Sequence, residues 1–171
     1  MKTSLNSALL ATALFSVSNV SAVEIRTMSN FENDSSSKNN YDLCLDYVGA
    51  TRNNDDLSAI GCIIDKPSQE WYFNRIGSTG YYSIENGEGG CLDDLYGSKY
   101  VGVWSACHYK SNQKWSFVEK PRGDFMAYSL VSGEGNCLDL GTNGKLYAWK
   151  CHGKPNQVWL ISDNFNPVNP F

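Results

Sequence analysis

The chain has 171 residues, 13% of them aromatic and 19% charged, with a net charge of −4. A mildly acidic chain without a basic run argues against nucleic acid or an anionic membrane as the main partner. The length suits one domain with a single sizeable core, and past the first 22 residues no stretch approaches the ~18 apolar residues of a membrane span, so no membrane insertion is expected.

Residues 1–22 read as a signal peptide: Lys2, an apolar stretch from Ala8 to Val17, and the small-residue exit Val20-Ser21-Ala22. The mature, secreted chain is then expected to begin at Val23. Little of it is helical in pattern. Short segments rich in aromatic and β-branched residues follow one another, at Val23–Thr27, Tyr81–Ile84, Tyr100–Trp104, Trp115–Val118, Leu146–Trp149 and Val158–Ile161. Gly and Asn groups separate them, which predicts an all-β barrel or sandwich of about twelve short strands. Between the first strand and the first cysteine lies a polar insertion, Phe31–Asn40, expected to be a mobile loop; it contains the glycosylation sequon Asn33-Asp34-Ser35. The tail 163–171 is rich in Asn and Pro.

One phrase occurs three times: Cys-Leu-Asp, a second cysteine, then Gln-x-Trp. Cys44-Leu45-Asp46 leads to Cys62 and Gln69-Glu70-Trp71; Cys91-Leu92-Asp93 to Cys107 and Gln113-Lys114-Trp115; Cys137-Leu138-Asp139 to Cys151 and Gln157-Val158-Trp159. A repeat of about 45 residues means that one supersecondary unit is copied and buries its apolar face against the other copies. The units run over about 23–78, 79–123 and 124–162, four strands in each. Six cysteines in a chain with a leader point to an oxidising compartment and three bridges. If each unit is a copy, each closes its own: Cys44 with Cys62, Cys91 with Cys107, Cys137 with Cys151. Such loops are worth roughly 3 kcal/mol each in the chain-entropy model. Their spacing does not suit zinc.

Three copies of Gln-x-Trp in phase with three Cys-Leu-Asp make the chain resemble the ricin B-type lectins over essentially the whole of 23–162. The resemblance implies a β-trefoil of three pseudo-repeats that binds carbohydrate, with Trp71, Trp115 and Trp159 in a shared core. It also implies one shallow sugar pocket per repeat. Each would use the Asp of Cys-Leu-Asp, an aromatic residue two positions before the second cysteine, and the Asn-Gln pair that opens Asn-Gln-x-Trp. The chemistry suits a pyranose, whose C–H face lies on an aromatic ring while its hydroxyl edge meets a carboxylate acceptor and an amide donor.

Carried over residue by residue, the third repeat has every element: Asp139, Trp149, Asn156 and Gln157, with Tyr147 on the same strand face as Trp149. The second is a candidate second site, with Asp93, Asn112 and Gln113. There Ser105 stands two before Cys107, and Trp104 one position earlier, so its side chain points the other way unless a bulge restores it. The first keeps Asp46 and Gln69 but has Ile60 and Ser68 in place of the aromatic and the Asn. It is expected to be scaffold, with Asp46 accepting backbone N–H groups of its turn.

Other candidates are set aside. His108 and His152 each follow a second cysteine and read as solvated turn residues, not metal ligands. Arg122-Gly123-Asp124 reads as a turn, and Asn53-Asn54-Asp55-Asp56 lacks the spacing of a calcium loop. No Gly-x-Ser-x-Gly, His-Glu-x-x-His or phosphate-cradling loop is present, and the repeated Asp residues fall in separate units, so neither an enzyme nor a cofactor is expected.

The reading is a secreted lectin for glycans ending in galactose-like or N-acetylgalactosamine-like sugars, bound chiefly by the third repeat. Two alternatives stay open: the cell-binding subunit of a secreted toxin, with partner subunits, and a trefoil that binds protein, such as a protease inhibitor.

Overall fold

The computed structural model describes residues 22–28, 43–49, 57–95, 99–121 and 126–161. Residues 1–21 of the expected signal peptide, the Phe31–Asn40 insertion with its sequon, Asn53-Asn54-Asp55-Asp56, Arg122-Gly123-Asp124 and the tail 163–171 lie outside the described residues.

Twelve strands follow in order: β1 Ile25–Thr27, β2 Leu43–Tyr47, β3 Leu57–Gly61, β4 Trp71–Arg75, β5 Tyr82–Asn86, β6 Cys91–Asp94, β7 Val101–Trp104, β8 Trp115–Glu119, β9 Ala127–Ser132, β10 Asn136–Leu140, β11 Leu146–Lys150 and β12 Trp159–Ile161. One-turn 3-10 segments at Pro67–Gln69, Ser111–Gln113 and Pro155–Gln157 precede β4, β8 and β12. Each carries the Gln of a Gln-x-Trp. Among the described residues, no helix is long and apolar enough to cross a membrane.

The strands form a trefoil. β1, β12, β9, β8, β5 and β4 pair in that order, and the bridge Val23↔Trp71 joins the ends into a six-stranded barrel. Closure leaves no free sheet edge around the barrel. The hairpins β2–β3, β6–β7 and β10–β11 hang from β1, β5 and β9 and cover one end. They touch one another through the bridges Ser58↔Lys145 and Tyr100↔Tyr147.

The copied positions meet in the core. Trp71, Trp115 and Trp159 are fully buried, with Leu45, Leu92 and Leu138 from the Cys-Leu-Asp segments and Ile25, Ile84 and Leu130 from the barrel. Each indole N–H is satisfied by its own repeat: Trp71 Nε1 donates to Leu45 O at 3.0 Å, Trp115 Nε1 to Leu92 O at 2.9 Å and Trp159 Nε1 to Leu138 O at 3.0 Å. The core is therefore one interior assembled from three equal contributions, each too small to stand alone. The bridges Cys44–Cys62, Cys91–Cys107 and Cys137–Cys151 form within repeats, as the copying argument requires.

Candidate functional site

Hairpin β10–β11 fixes the third-repeat residues. Its register places Asp139 opposite Tyr147 and Cys137 opposite Trp149, so strand alternation sends all these side chains to one face. The 3-10 turn then delivers Asn156 and Gln157 from below. Asp139, Tyr147, Trp149, His152 and Asn156 line one open cavity of about 290 Å³. That size is at the lower end for small-molecule sites and suits a single ring.

Gln157 braces this arrangement from within. Fully buried, it donates through Nε2 to Asp139 Oδ2 at 2.7 Å and to Lys150 O at 3.1 Å, while its Oε1 accepts from the His152 N–H at 2.7 Å and the Gly153 N–H at 3.4 Å. All four of its hydrogen-bonding positions are used, so it holds the carboxylate and the second-cysteine loop in place and has none left for a ligand.

Asp139 is buried except for its rim. Its Oδ1 accepts from Asn156 Nδ2 at 2.8 Å, and its Oδ2 lies 3.2 Å from His152 Nε2. Backbone N–H of Lys154 donates to His152 Nδ1 at 3.1 Å, which leaves the ring proton on Nε2, aimed at the carboxylate. With Gln157, three donors engage a group that has about four acceptor positions, and the remaining one, on Oδ1, faces the cavity. Asn156 commits one amide hydrogen to Asp139; the other is held loosely by Leu140 O at 3.4 Å, and a ligand oxygen can take it over. The Tyr147 hydroxyl accepts from Asn143 Nδ2 at 2.9 Å, which leaves its own proton available.

The aromatic wall is half exposed, as a stacking surface must be: Trp149 retains 47% of its accessible area. Tyr147 packs so close to the turn after β10 that a Cβ on Gly141 would fall 2.5 Å from its ring, so only glycine fits there. On its other side Tyr147 meets Tyr100 of the second repeat, with ring centroids 5.4 Å apart.

The second repeat reproduces much of this. Gln113 Nε2 donates to Asp93 Oδ2 at 2.9 Å and Asn112 Nδ2 to Asp93 Oδ1 at 2.8 Å, while His108 Nε2 stands 3.8 Å from Asp93 Oδ2. The position of Trp104 differs from the expectation that it turns away. Trp104 lies opposite Cys91, as Trp149 lies opposite Cys137. The additional residue falls after β7, between Trp104 and Cys107, where it leaves the strand register intact. Trp104 thus occupies the same place as Trp149 and is 53% exposed. Gly102 stands where the third repeat has Tyr147.

The first repeat is occupied by its own side chain. Lys66 Nζ lies 2.6 Å from Asp46 Oδ2, to which Gln69 Nε2 also donates at 2.7 Å, and Ser68 Oγ donates to Asp46 Oδ1 at 3.3 Å. Asp46 is therefore satisfied by side chains, not by backbone N–H groups of its turn. With Ser58 and Ile60 opposite Asp46 and Cys44, this repeat has no aromatic wall, and its carboxylate is already paired with an ammonium.

The histidines are the residues that sequence reasoning missed: instead of being spent in a turn, His152 lines the cavity and touches its carboxylate. Their matched positions after the second cysteines were the available sign. Among the described residues, Glu85 with Cys91 and Cys107 is the one grouping with metal-ligand spacing, and its two sulfurs are joined in a disulfide that offers no thiolate.

Comparison with solved structures supports the same architecture. A designed threefold-symmetric protein, ThreeFoil, matches with a TM-score of 0.60 at 22% identity, over 82% of this chain and 98% of that one. SeviL, solved bound to the asialo-GM1 saccharide, matches with a TM-score of 0.61 at 22% identity, over 85% of this chain and 99% of that one. A mosquitocidal holotoxin matches with a TM-score of 0.62 at 17% identity, over 91% of this chain but only 19% of the toxin. No curated protein sequence matches. The model of the ricin-type beta-trefoil lectin domain matches residues 80–169, which is more than half of the chain. With three Gln-x-Trp repeats closing one barrel, the chain belongs to the ricin-type β-trefoil lectin family, a fold that binds carbohydrate.

Proposed function

We propose that the protein is a secreted, non-catalytic lectin whose third repeat binds a terminal galactose-like or N-acetylgalactosamine-like sugar. The observation that carries this reading is the convergence of Asp139, Tyr147, Trp149, His152 and Asn156 on one cavity. The open Oδ1 position of Asp139 accepts from a sugar hydroxyl, Asn156 donates to a neighbouring one, and the C–H face of the ring lies on Trp149. A hydroxyl of the wrong epimer leaves a buried polar group unpaired, which is how such a pocket discriminates. A few hydrogen bonds and one stack amount to roughly −4 to −6 kcal/mol, a Kd of about millimolar to tenth-millimolar.

Useful retention on a cell surface then needs more than one pocket. The second repeat supplies the candidate, since Trp104, Asp93 and Asn112 hold the same relative positions as their third-repeat counterparts. Two pockets engaged together raise apparent affinity ~10² to 10⁴-fold. Three disulfides in a small domain support export to an oxidising compartment.

A glycan array with the purified protein tests this. Binding to terminal galactosides that disappears in Asp139→Asn is the expected result. Silence across the array from a folded protein refutes the lectin reading and favours a protein-binding trefoil. The likeness to a module of the mosquitocidal holotoxin supports one second reading, that the lectin serves as the cell-binding part of a toxin assembly. Co-purification of a partner chain from native culture fluid is the result that reading requires.

A further inference from the structure

Two aromatic walls of the third-repeat pocket are backed by a neighbour. The segment before β7, from the second repeat, runs along β11: Lys99 O accepts from the Ala148 N–H at 2.9 Å, and Tyr100 bridges to Tyr147. This docking carries the Lys99 ammonium over the Trp149 ring, 5.6 Å from its centroid. Lys99 is exposed and, among the described residues, forms no ion pair. The ring's negative face holds the cation at the lip of the pocket without neutralising it.

The surroundings have the same sign. Residues 140–157, which supply four of the five lining residues of the pocket, contain Lys145, Lys150 and Lys154 and no acid, in a chain whose net charge is −4. The corresponding stretch of the first repeat, by contrast, carries Asp55, Asp56 and Asp65. The single carboxylate within the third-repeat pocket, Asp139, is buried and engaged by Gln157, Asn156 and His152, with one Oδ1 position left for a sugar hydroxyl.

Resting on the galactoside reading above, we propose that Lys99 reads a negative charge on the bound glycan, so that the third repeat prefers an acidic galactoside to the neutral sugar. A carboxylate of a sialic acid linked to the galactose, or a sulfate ester on it, presents the same chemistry to the ammonium. An ammonium already held in place loses less freedom on pairing than a loose one, and the contact lies at a partly screened surface. Its expected size is therefore that of an exposed ion pair, roughly 2- to 5-fold in affinity.

The test is titration calorimetry of the full chain with lactose, sialyllactose and 3′-sulfolactose, at low and at physiological salt, on the native protein and on Lys99→Gln and Asp139→Asn. At least one acidic ligand should bind roughly 2- to 5-fold more tightly than lactose, with the advantage shrinking as salt rises. Lys99→Gln should bring the acidic-to-neutral ratio to about one, and the sialyl and sulfo arms show which anion is read. Equal affinity for neutral and acidic ligands in the native protein overturns the inference. So does a proportional loss of both in Lys99→Gln, which makes Lys99 a support for Trp149 only. Lactose binding that survives Asp139→Asn overturns instead the assignment of the pocket, and with it the role of Lys99.

Discussion

Replacing Trp149 with alanine separates a binding surface from a core element. A fully buried Trp changed to Ala costs about 3–5 kcal/mol through lost transfer energy and a cavity. Trp149 already exposes 47% of its area and opens onto solvent, so the cavity contribution vanishes and about half the transfer contribution remains. The expected loss is about 1–1.5 kcal/mol. For a domain of this size that lowers Tm by roughly 3–6 °C. The effect on binding is large in proportion: losing a stack of about 1–2 kcal/mol from a total of about 4–6 weakens a single pocket by roughly 5- to 30-fold. Calorimetric scanning and retention on galactose resin measure the two effects side by side. Trp159→Ala is the contrast, because that indole is fully buried and donates to Leu138 O; its Tm should fall by more than 10 °C. A fall of that size in Trp149→Ala, or full retention on the resin, refutes the reasoning.

Three further outcomes follow from the same geometry. Gln157→Ala removes both donors and both acceptors that hold Asp139 and the 152–153 loop, so urea unfolding should show a loss of about 3 kcal/mol together with loss of sugar binding. Asp94 is buried and accepts from Ser132 Oγ at 2.6 Å and Asn136 Nδ2 at 3.1 Å, tying the second repeat to the third; Asp94→Ala strands those donors and should cost about 1–3 kcal/mol with sugar affinity unchanged. Burial, aided by Glu119, raises the Tyr128 phenol above its ordinary 10.0. The unfolded chain therefore releases this proton first, so its contribution is complete below pH 10 and is lost as pH rises beyond it; unfolding of Tyr128→Phe followed from pH 9 to 11.5 should show a shallower decline than the native protein.

The repeat was legible because its markers do structural work that few residue types can do. Each cysteine pair closes a loop local in sequence, so copying alone implied the bridges, while the resemblance to the ricin B-type lectins placed the three large indoles in a shared core, where they are fully buried. The hairpin register was less legible. Counting back from Cys107 places Trp104 on the wrong face, because counting assumes that the strand runs unbroken to the cysteine. In the folded chain the extra residue is absorbed beyond β7, and pairing with Cys91, not distance from Cys107, sets the direction of the side chain.

Composition, periodicity and the three copied phrases determined by themselves the threefold all-β architecture and the pairing of the cysteines, because a copied phrase implies a copied unit that closes its own bridge and packs against its fellows; singling out the third repeat took the resemblance to the ricin B-type lectins as well. Only the tertiary structure decided that Lys66 pairs with Asp46, that His152 faces Asp139, and that Lys99 and Tyr100 of one repeat pack against Trp149 and Tyr147 of another. Those contacts join residues whose meeting depends on turn geometry and on the angle between hairpins, quantities that no local pattern of residue types encodes.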